Sequence, residues 1–473
     1  MSARLGDYVA LEARSDGSIV AHFHGYSVGL GTFSAGAAER AQKLREGLAL
    51  AAFESGRRIV DKETDRLAHR LARHGLLEYR VQRSRHQIQV VIEPQVGDYW
   101  PRTPPLRDAD VLVLSRFAYM RRRGADMVLE SPRAGALFRI NDPSIAAALT
   151  RLSTPQQVKR LRRQNGFPGL ELLALLVDCE ILGKVNTADD GSLRAAEGDP
   201  DLVLWDFHDL LFHARSTQGR HANPLGGLCA YAAVRSPLPA VRRRWPGQKI
   251  DLHGLTLAPA DVVSPAARLL RERHSVRTFD DQQPITLAEL ARFLDSTARV
   301  RSTWKSRMDL GDVRPVVAYA ARPYPSAGAS YELELYLAVG RCEGIARGFY
   351  HYDAGGHALV PIGVRMQEVE ALLAGAQFAM DAPAPPQVLI TIAARFGRVS
   401  WKYSSLAYAL VLKDVGVLIQ TLYLMTTDMD LGGCAIGSTN VDLFAKMTGI
   451  AFHVEGPVGQ FALGRGARIP ASD

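Results

Sequence analysis

Ala407 to Met425 is the longest apolar run in the chain, and Lys413 and Asp414 sit inside it. A run of that length predicts a helix, and two adjacent charges within it are too costly for a segment that crosses a bilayer. The expectation is a buried core helix over Ser404 to Met425, around which a domain is built, with no membrane role. Arg4, Asp7 and Glu12 fall within the first dozen residues, so no apolar signal segment is expected there. At 473 residues the chain has room for roughly two to four domains that fold without staples. Its four cysteines, Cys179, Cys229, Cys342 and Cys434, form no C-x-x-C pair, so neither a disulfide framework nor a thiolate zinc site is indicated and a reducing cytoplasm is the expected location.

Four short segments stand around that helix in an order that carries chemistry. Trp401-Lys402-Tyr403 precedes it. A Lys and a Tyr at the mouth of a core helix can act together as proton donor or acceptor when burial and mutual charge bring their pKa values down from about 10. Side chains at adjacent helix positions do not face each other, so both serve only if the helix begins near here, and an interfacial aromatic with a solvated Lys is the plainer alternative. Leu431-Gly432-Gly433-Cys434-Ala435-Ile436-Gly437 follows the helix; paired glycines expose N–H groups and admit the edge of a flat ring, or else simply cap the helix.

Upstream lies Arg322-Pro323-Tyr324-Pro325-Ser326-Ala327-Gly328-Ala329-Ser330, leading into a strand-like Tyr331 to Val339. Two prolines stiffen the backbone and small residues leave room for a flat ligand, with a tight turn feeding a buried strand as the alternative. Arg273-His274-Ser275-Val276-Arg277 comes after a helix-like Pro265 to Arg271, and alternate positions place two guanidinium forks and a hydroxyl on one side of an extended segment, a fit to phosphate oxygens. Phe461-Ala462-Leu463-Gly464-Arg465 reads as an apolar strand whose Arg can return to the phosphate site.

The N-terminal half reads differently. Residues 1–250 hold 36 Lys and Arg against 27 Asp and Glu, while residues 251–473 hold 21 against 22, so the basic excess belongs wholly to the first half. Such a face can attract nucleic acid or an acidic peptide, or be plain solvated surface. Tyr8 to Leu11 and Ile19 to Phe23 flank Asp16-Gly17, a hairpin signal, and Ala37 to Phe53 reads as a helix. Asp65 to Leu77 reads as a helix stopped at Gly75, and residues 88 to 92 alternate as the second strand of a hairpin turning near Ser84-Arg85, a winged-helix ending. Pro94, Pro101, Pro104 and Pro105 then suggest a stiff linker, after which a similar order recurs. Leu112 to Tyr119 and Met127 to Leu129 flank Arg123-Gly124, helices are expected over Val158 to Gln164 and Leu170 to Ile181, and Asp190-Gly191 offers a final wing turn. Pro237, Pro239, Pro246, Pro259 and Pro265 mark a second linker. Trp205, Phe207, Phe212, His208, His213 and His221 lie before it at spacings that fit packing against a neighbouring domain better than any common zinc pattern.

Taken in order, these C-terminal motifs resemble the nitroreductase-like flavin fold, and more narrowly the SagB-type FMN-dependent azoline dehydrogenases, the thiazoline/oxazoline oxidases of modified-peptide pathways, over about Val263 to Arg465. The resemblance extends more loosely over the first half, where cyanobactin oxidases carry two winged-helix peptide-binding modules. It implies an α+β chain: winged-helix-like modules over 1–100 and 101–235, then a nitroreductase-like FMN domain over 236–473 with a central antiparallel sheet flanked by helices. It implies FMN held by Arg273, His274, Ser275, Arg277, Pro325, Ser326, Ala327, Gly328, Gly432, Gly433 and Arg465, with Pro325 and Ser326 often reaching from the partner subunit of a homodimer. Lys402 and Tyr403 match the family's catalytic pair, and no metal is implied. Two departures stand out: the family's aliphatic residue or Tyr followed by Pro is here Ser330-Tyr331-Glu332, and its Gln-Asn is Gln420-Thr421.

The expected function is FMN-dependent oxidation of peptide thiazolines or oxazolines to thiazoles or oxazoles, on a ribosomally made precursor peptide held by the N-terminal modules and prepared by a cyclodehydratase. Alternatives are an NAD(P)H-dependent nitroreductase of the same fold, a winged-helix nucleic-acid-binding flavin sensor, or a catalytically dead peptide carrier. The basic residues are spread along the chain and not gathered in one recognition helix, which weighs against nucleic acid as a partner.

Overall fold

The structure, a computed structural model, describes residues 1–23, 26–54, 59–84, 87–164, 166–185, 197, 199–217, 232–234, 236–242, 244, 246, 248–252 and 264–467. Arg85, the Asp190-Gly191 turn, His221, Cys229, Pro259 and Val263 lie outside the described residues. The chain forms two compact units: Met1–Asn223 with Phe396–Tyr408 and Asn440–Gly456, and Pro224–Arg395 with Ala409–Thr439 and Pro457–Asp473.

In the first unit, the Asp16-Gly17 signal is a hairpin between Val9–Ala13 and Ser18–Phe23, with Gly17 at φ 79°, a value that favours glycine. Helix Ile59–Arg73 ends before Gly75 and is followed by the antiparallel pair Leu77–Ser84 and Gln87–Pro94, the helix-then-hairpin order read from the sequence. Where one helix was expected over Ala37 to Phe53, there are two, Ala35–Lys43 and Ala51–Glu54. Gly47, at φ 108°, turns the chain between them into the short strand Leu48–Ala49, which pairs with Ser2 and Ala3. Likewise Leu112 to Tyr119 is no single strand: Val111–Leu114 pairs with Leu182–Val185, whereas Tyr119–Arg123 forms a hairpin with Asp126–Glu130.

The two segments expected as separate N-terminal modules share one sheet. Seven antiparallel strands run in the order Leu48–Ala49, Ser2–Leu5, Leu77–Ser84, Gln87–Pro94, Ala136–Ile140, Asp126–Glu130 and Tyr119–Arg123. The pairing of Gln87–Pro94 with Ala136–Ile140 crosses residue 100, and one apolar core runs from Ala3 to Leu182. Val90, Val91 and Ile92 are all buried, because this strand is central and covered on both faces. The proline-marked stretch packs instead of acting as a spacer: Pro94 pairs with Ala136, Tyr79 Oη donates to the Tyr99 carbonyl at 2.9 Å, and the Trp100 ring lies against Phe53 and Tyr79.

The second unit is built on a six-stranded sheet ordered Ala358–Ile362, Gly348–Asp353, Leu333–Val339, Val388–Arg395, Glu455–Gly464, Gly432–Ile436. Leu333–Val339 and Val388–Arg395 are buried almost throughout, as near-continuous apolar strands should be. Helices Leu287–Thr297, Met366–Met380 and Ala407–Asp428 accompany the sheet, the first opened by a capping box between Thr286 and Glu289. Ala407–Asp428 is the expected core helix, beginning where the apolar run begins and three residues after the expected start at Ser404. It is the described helix long and apolar enough to cross a membrane, yet Val411, Asp414, Val415, Leu418 and Leu422 are buried within the protein.

Candidate functional site

After helix Pro265–Glu272 the chain turns extended at Arg273, with φ −55° and ψ 121°. Extended backbone sends Arg273, Ser275 and Arg277 to one side. Val276 is drawn the other way, its N–H donating to the Gly433 carbonyl at 2.8 Å. Ser275 Oγ lies 2.8 Å from Tyr423 Oη, which also accepts from the Ala435 N–H at 2.8 Å. Tyr423 can therefore donate its own proton to Ser275, leaving the serine proton for a ligand oxygen. The Arg273 guanidinium stands 5.0 Å from the Tyr423 ring centre. Arg277 is exposed, and among the described residues neither arginine has an ion pair, so both charges are available to an anion. His274 is exposed, its Nδ1 3.0 Å from the Glu272 carbonyl.

Arg465 is brought to this segment by the last strand: its carbonyl accepts from the Asp280 N–H at 2.9 Å, and its own N–H donates to Gln387. Its guanidinium is held by both oxygens of Glu289, at 2.6 and 2.7 Å. Gly432 and Gly433 are buried in the neighbouring strand. A Cβ on Gly432 would lie 2.7 Å from Val276, and one on Gly433 2.4 Å from the Phe461 ring. Their missing side chains thus let the Arg273–Arg277 segment and the last strand close up on each other.

The loop that runs from Pro325 to Tyr331 is strained at its end. Gly328, Ala329 and Tyr331 have φ of 57°, 54° and 46°, and two of these bear a Cβ, a cost that clusters at functional sites. What holds it is Asp414 of the core helix, which accepts from Ser326 Oγ and the Ala327 N–H, both at 2.9 Å. The same serine oxygen lies 3.2 Å from Glu332 Oε2 and accepts from the Tyr331 N–H at 3.0 Å. Glu332 is fully buried, and burial first, then the charge of Asp414, pushes its carboxyl up to about 7. Glu332 Oε1, Tyr324 Oη and Arg322 Nε, all buried, have no hydrogen-bond partner among the described residues.

Lys402 and Tyr403 belong to the first unit. They occupy the turn after helix Gly397–Ser400, both N–H groups donating to the Val399 carbonyl, with Lys402 Nζ 5.3 Å from the Tyr403 ring centre. Also in that unit, His213 is fully buried, with Nδ1 3.1 Å from Tyr408 Oη and Nε2 3.3 Å from the Phe452 carbonyl, and Trp205 stacks on it. The aromatic-histidine cluster before the second linker is thus packed against later segments of its own unit. Sequence reasoning passed over three residues of the loop and phosphate-like sites. Tyr423 gave no signal, Asp414 was visible only as a charge in an apolar run, and Glu332 only as a departure from a family pattern.

The nitroreductase family model matches residues 270–465, and the cyanobactin oxidase ThcOx model matches residues 112–222. A protein of Methanocaldococcus jannaschii that carries a nitroreductase name is 31% identical over 170 residues, 36% of this chain and 77% of that protein. Among solved structures, a Ralstonia eutropha protein of nitroreductase name matches at 22% identity and TM-score 0.33, over 45% of this chain and 89% of the other. The E. coli microcin synthetase McbBCD complex, with truncated pro-MccB17 bound, matches at 18% identity and TM-score 0.39, over 60% of this chain and 100% of that one. The family expected from the order of the C-terminal motifs is the one found: the chain belongs to the nitroreductase family, with a cyanobactin oxidase ThcOx segment on the same polypeptide.

Proposed function

We propose that this protein is an FMN-dependent oxidase that converts thiazolines or oxazolines in a ribosomally made peptide to thiazoles or oxazoles. One observation carries the reading: a ThcOx segment and a nitroreductase segment lie on one chain. The residues fit the cofactor at both ends. Arg273, Ser275 and Arg277 offer two uncommitted cations and an outward hydroxyl for a phosphate, and the Pro325–Tyr331 loop, strained at its end, offers a stiff wall for a flat ring. Gly432 and Gly433 serve by close approach, His274 stays at the rim, and Arg465 reaches a phosphate only by leaving Glu289. Bound FMN would accept a hydride from the azoline ring and yield the two electrons to oxygen, forming hydrogen peroxide. Lys402 and Tyr403 take the ring proton beside the peptide carbonyl, and aromaticity of the product favours the step.

The core helix supports a homodimer. Asp414, which holds the loop, and Tyr423, which orients Ser275, are nine residues apart, about two and a half turns, so they project from opposite faces. A flavin set against Ser275 then takes its loop from the partner subunit. Beside the loop, the ribbon of Ser302–Arg307 and Val316–Ala321 has its first strand wholly exposed, Trp304 stacked on Tyr319, and a lone two-stranded ribbon of this kind is marginal in water unless covered. For the precursor peptide, Tyr119–Arg123 is an edge strand on which Arg121 and Arg123 are paired with Glu130 and Glu93, so an acidic leader adding as a further strand would meet its open edge and Arg122. A cyclodehydratase supplying the azoline completes the partners, in the cytoplasm.

The test is incubation of the flavin-loaded full chain with an azoline-bearing peptide under air. Expected are the loss of two hydrogens per ring by mass and matching oxygen uptake, with Lys402→Ala keeping its flavin and losing turnover. Unaltered turnover in that variant would remove Lys402 from its role. The M. jannaschii likeness favours a second reading, an NAD(P)H-dependent nitroreductase. Fast bleaching of the flavin by NADPH, with no azoline oxidation, selects it.

A further inference from the structure

Glu332 is a fully buried acid that the proposed reaction does not use, with one carboxyl oxygen unpartnered among the described residues. Hydrogen-bond counting assigns it a state. Ser326 Oγ has three polar neighbours: the Tyr331 N–H, Asp414 Oδ2 at 2.9 Å and Glu332 Oε2 at 3.2 Å. A hydroxyl has one proton and two lone pairs. The N–H takes one lone pair, and the serine proton can serve only one carboxylate, so the other carboxyl must bring a proton of its own. Asp414 Oδ2 receives two donors, Ser326 and the Ala327 N–H, whereas Glu332 Oε1 receives none. The negative charge therefore sits on Asp414, and the Glu332 proton is given to Ser326 Oγ or to Asp414 itself, with which Glu332 also makes a side-chain hydrogen bond.

We infer that Glu332 is the neutral member of a carboxyl pair with Asp414, and that its proton, held between Ser326 and Asp414, keeps the Ser326–Tyr331 loop in its left-handed conformation. Glu332 is a positioning residue, acting through Ser326. The groups facing it are consistent with a neutral acid: Asp414 from the core helix, Tyr324 and Ser326 from the loop, and from the adjacent strand the Arg395 N–H, which donates to the Glu332 carbonyl. The nearby basic side chains Arg322, Arg395 and His351 each lie 3.6 Å from Glu334 instead. When Glu332 loses its proton, two carboxylates compete for one hydroxyl and the loop is released. Its raised carboxyl, at about 7, puts that release near neutrality.

The consequence for flavin rests on the reading above that this loop lines the ring; the proton itself does not, and flavin-free full chain tests it alone. Infrared difference spectra should contain a protonated-carboxyl C=O band that disappears as pH rises through about 7 and is missing from Glu332→Gln at every pH. In Asp414→Asn, which removes the competing charge, the band should disappear at lower pH. With only the neutral form holding the loop, FMN should bind wild type about tenfold more weakly at about pH 8 than at about pH 6, while Glu332→Gln, whose amide still donates to Ser326, shows no such change. A wild type lacking the band, a band surviving in Glu332→Gln, an unmoved midpoint in Asp414→Asn, or an equal pH dependence of FMN binding in wild type and Glu332→Gln would each overturn the inference.

Discussion

Replacing Glu332 by Gln makes a quantitative demand on stability. An ordinary glutamate ionises near 4.5, and burial with the Asp414 charge raises Glu332 to about 7 in the folded chain. Between those values the unfolded chain has released the proton while the folded chain still holds it, so each upward step in pH favours unfolding, and above 7 the loss is complete. A shift of this size is worth about 3 kcal/mol in full, most of which falls between about pH 5 and about pH 8. Set against a total stability of roughly 5–15 kcal/mol, that is a large fraction. The glutamine has no proton to lose and keeps the bond to Ser326. Urea unfolding of both proteins, flavin-free, at several pH values should give curves that diverge as pH rises, with wild type falling faster by about that amount. Parallel curves would refute the reasoning, since no other residue differs between the two proteins.

Three further outcomes follow from contacts described above. Gly433→Ala forces a methyl to within 2.4 Å of the Phe461 ring, and thermal melts should register about 1–3 kcal/mol of destabilisation. Tyr423→Phe strips the Ala435 N–H of its acceptor and Ser275 of its donor; flavin fluorescence titration should report FMN binding weakened by about 1–3 kcal/mol, and unchanged binding would remove Tyr423 from the site. His213→Leu leaves Tyr408 Oη and the Phe452 carbonyl without the buried imidazole, and urea unfolding should fall by about 1–3 kcal/mol.

Local chemistry was readable from the chain and distant pairing was not. Gly17 and Gly124 announced their hairpins because a positive φ is a local requirement that few other residues meet. The core helix was legible from its apolar run, although the expected start at Ser404 was not, since Ser404 to Leu406 form a bend and turn before it. The joining of the two expected N-terminal modules through Gln87–Pro94 and Ala136–Ile140 left no local trace, because strand partners are chosen across the fold. The same holds at the loop: Ser326 meets Asp414 from 88 positions away, and nothing in Lys413-Asp414 said which charge would turn inward. Gly432 and Gly433 were noticed for the space they leave, but only the fold reveals that Val276 and Phe461 fill it.

His213 carries a consequence for how this chain can be made and divided. Its enclosure by Tyr408 and Phe452 ties the first unit to residues translated long after the rest of that unit. A growing chain that has emerged as far as Asn223 lacks those partners, so Trp205 and His213 wait uncovered until residue 456 has left the ribosome. Vectorial synthesis therefore delays enclosure of this aromatic-histidine cluster almost to the end, although the core between Ala3 and Leu182 is complete long before. For the same reason a cut after residue 223 yields a fragment without its own lid, and transplanting the first half onto another enzyme would require carrying two short C-terminal pieces with it.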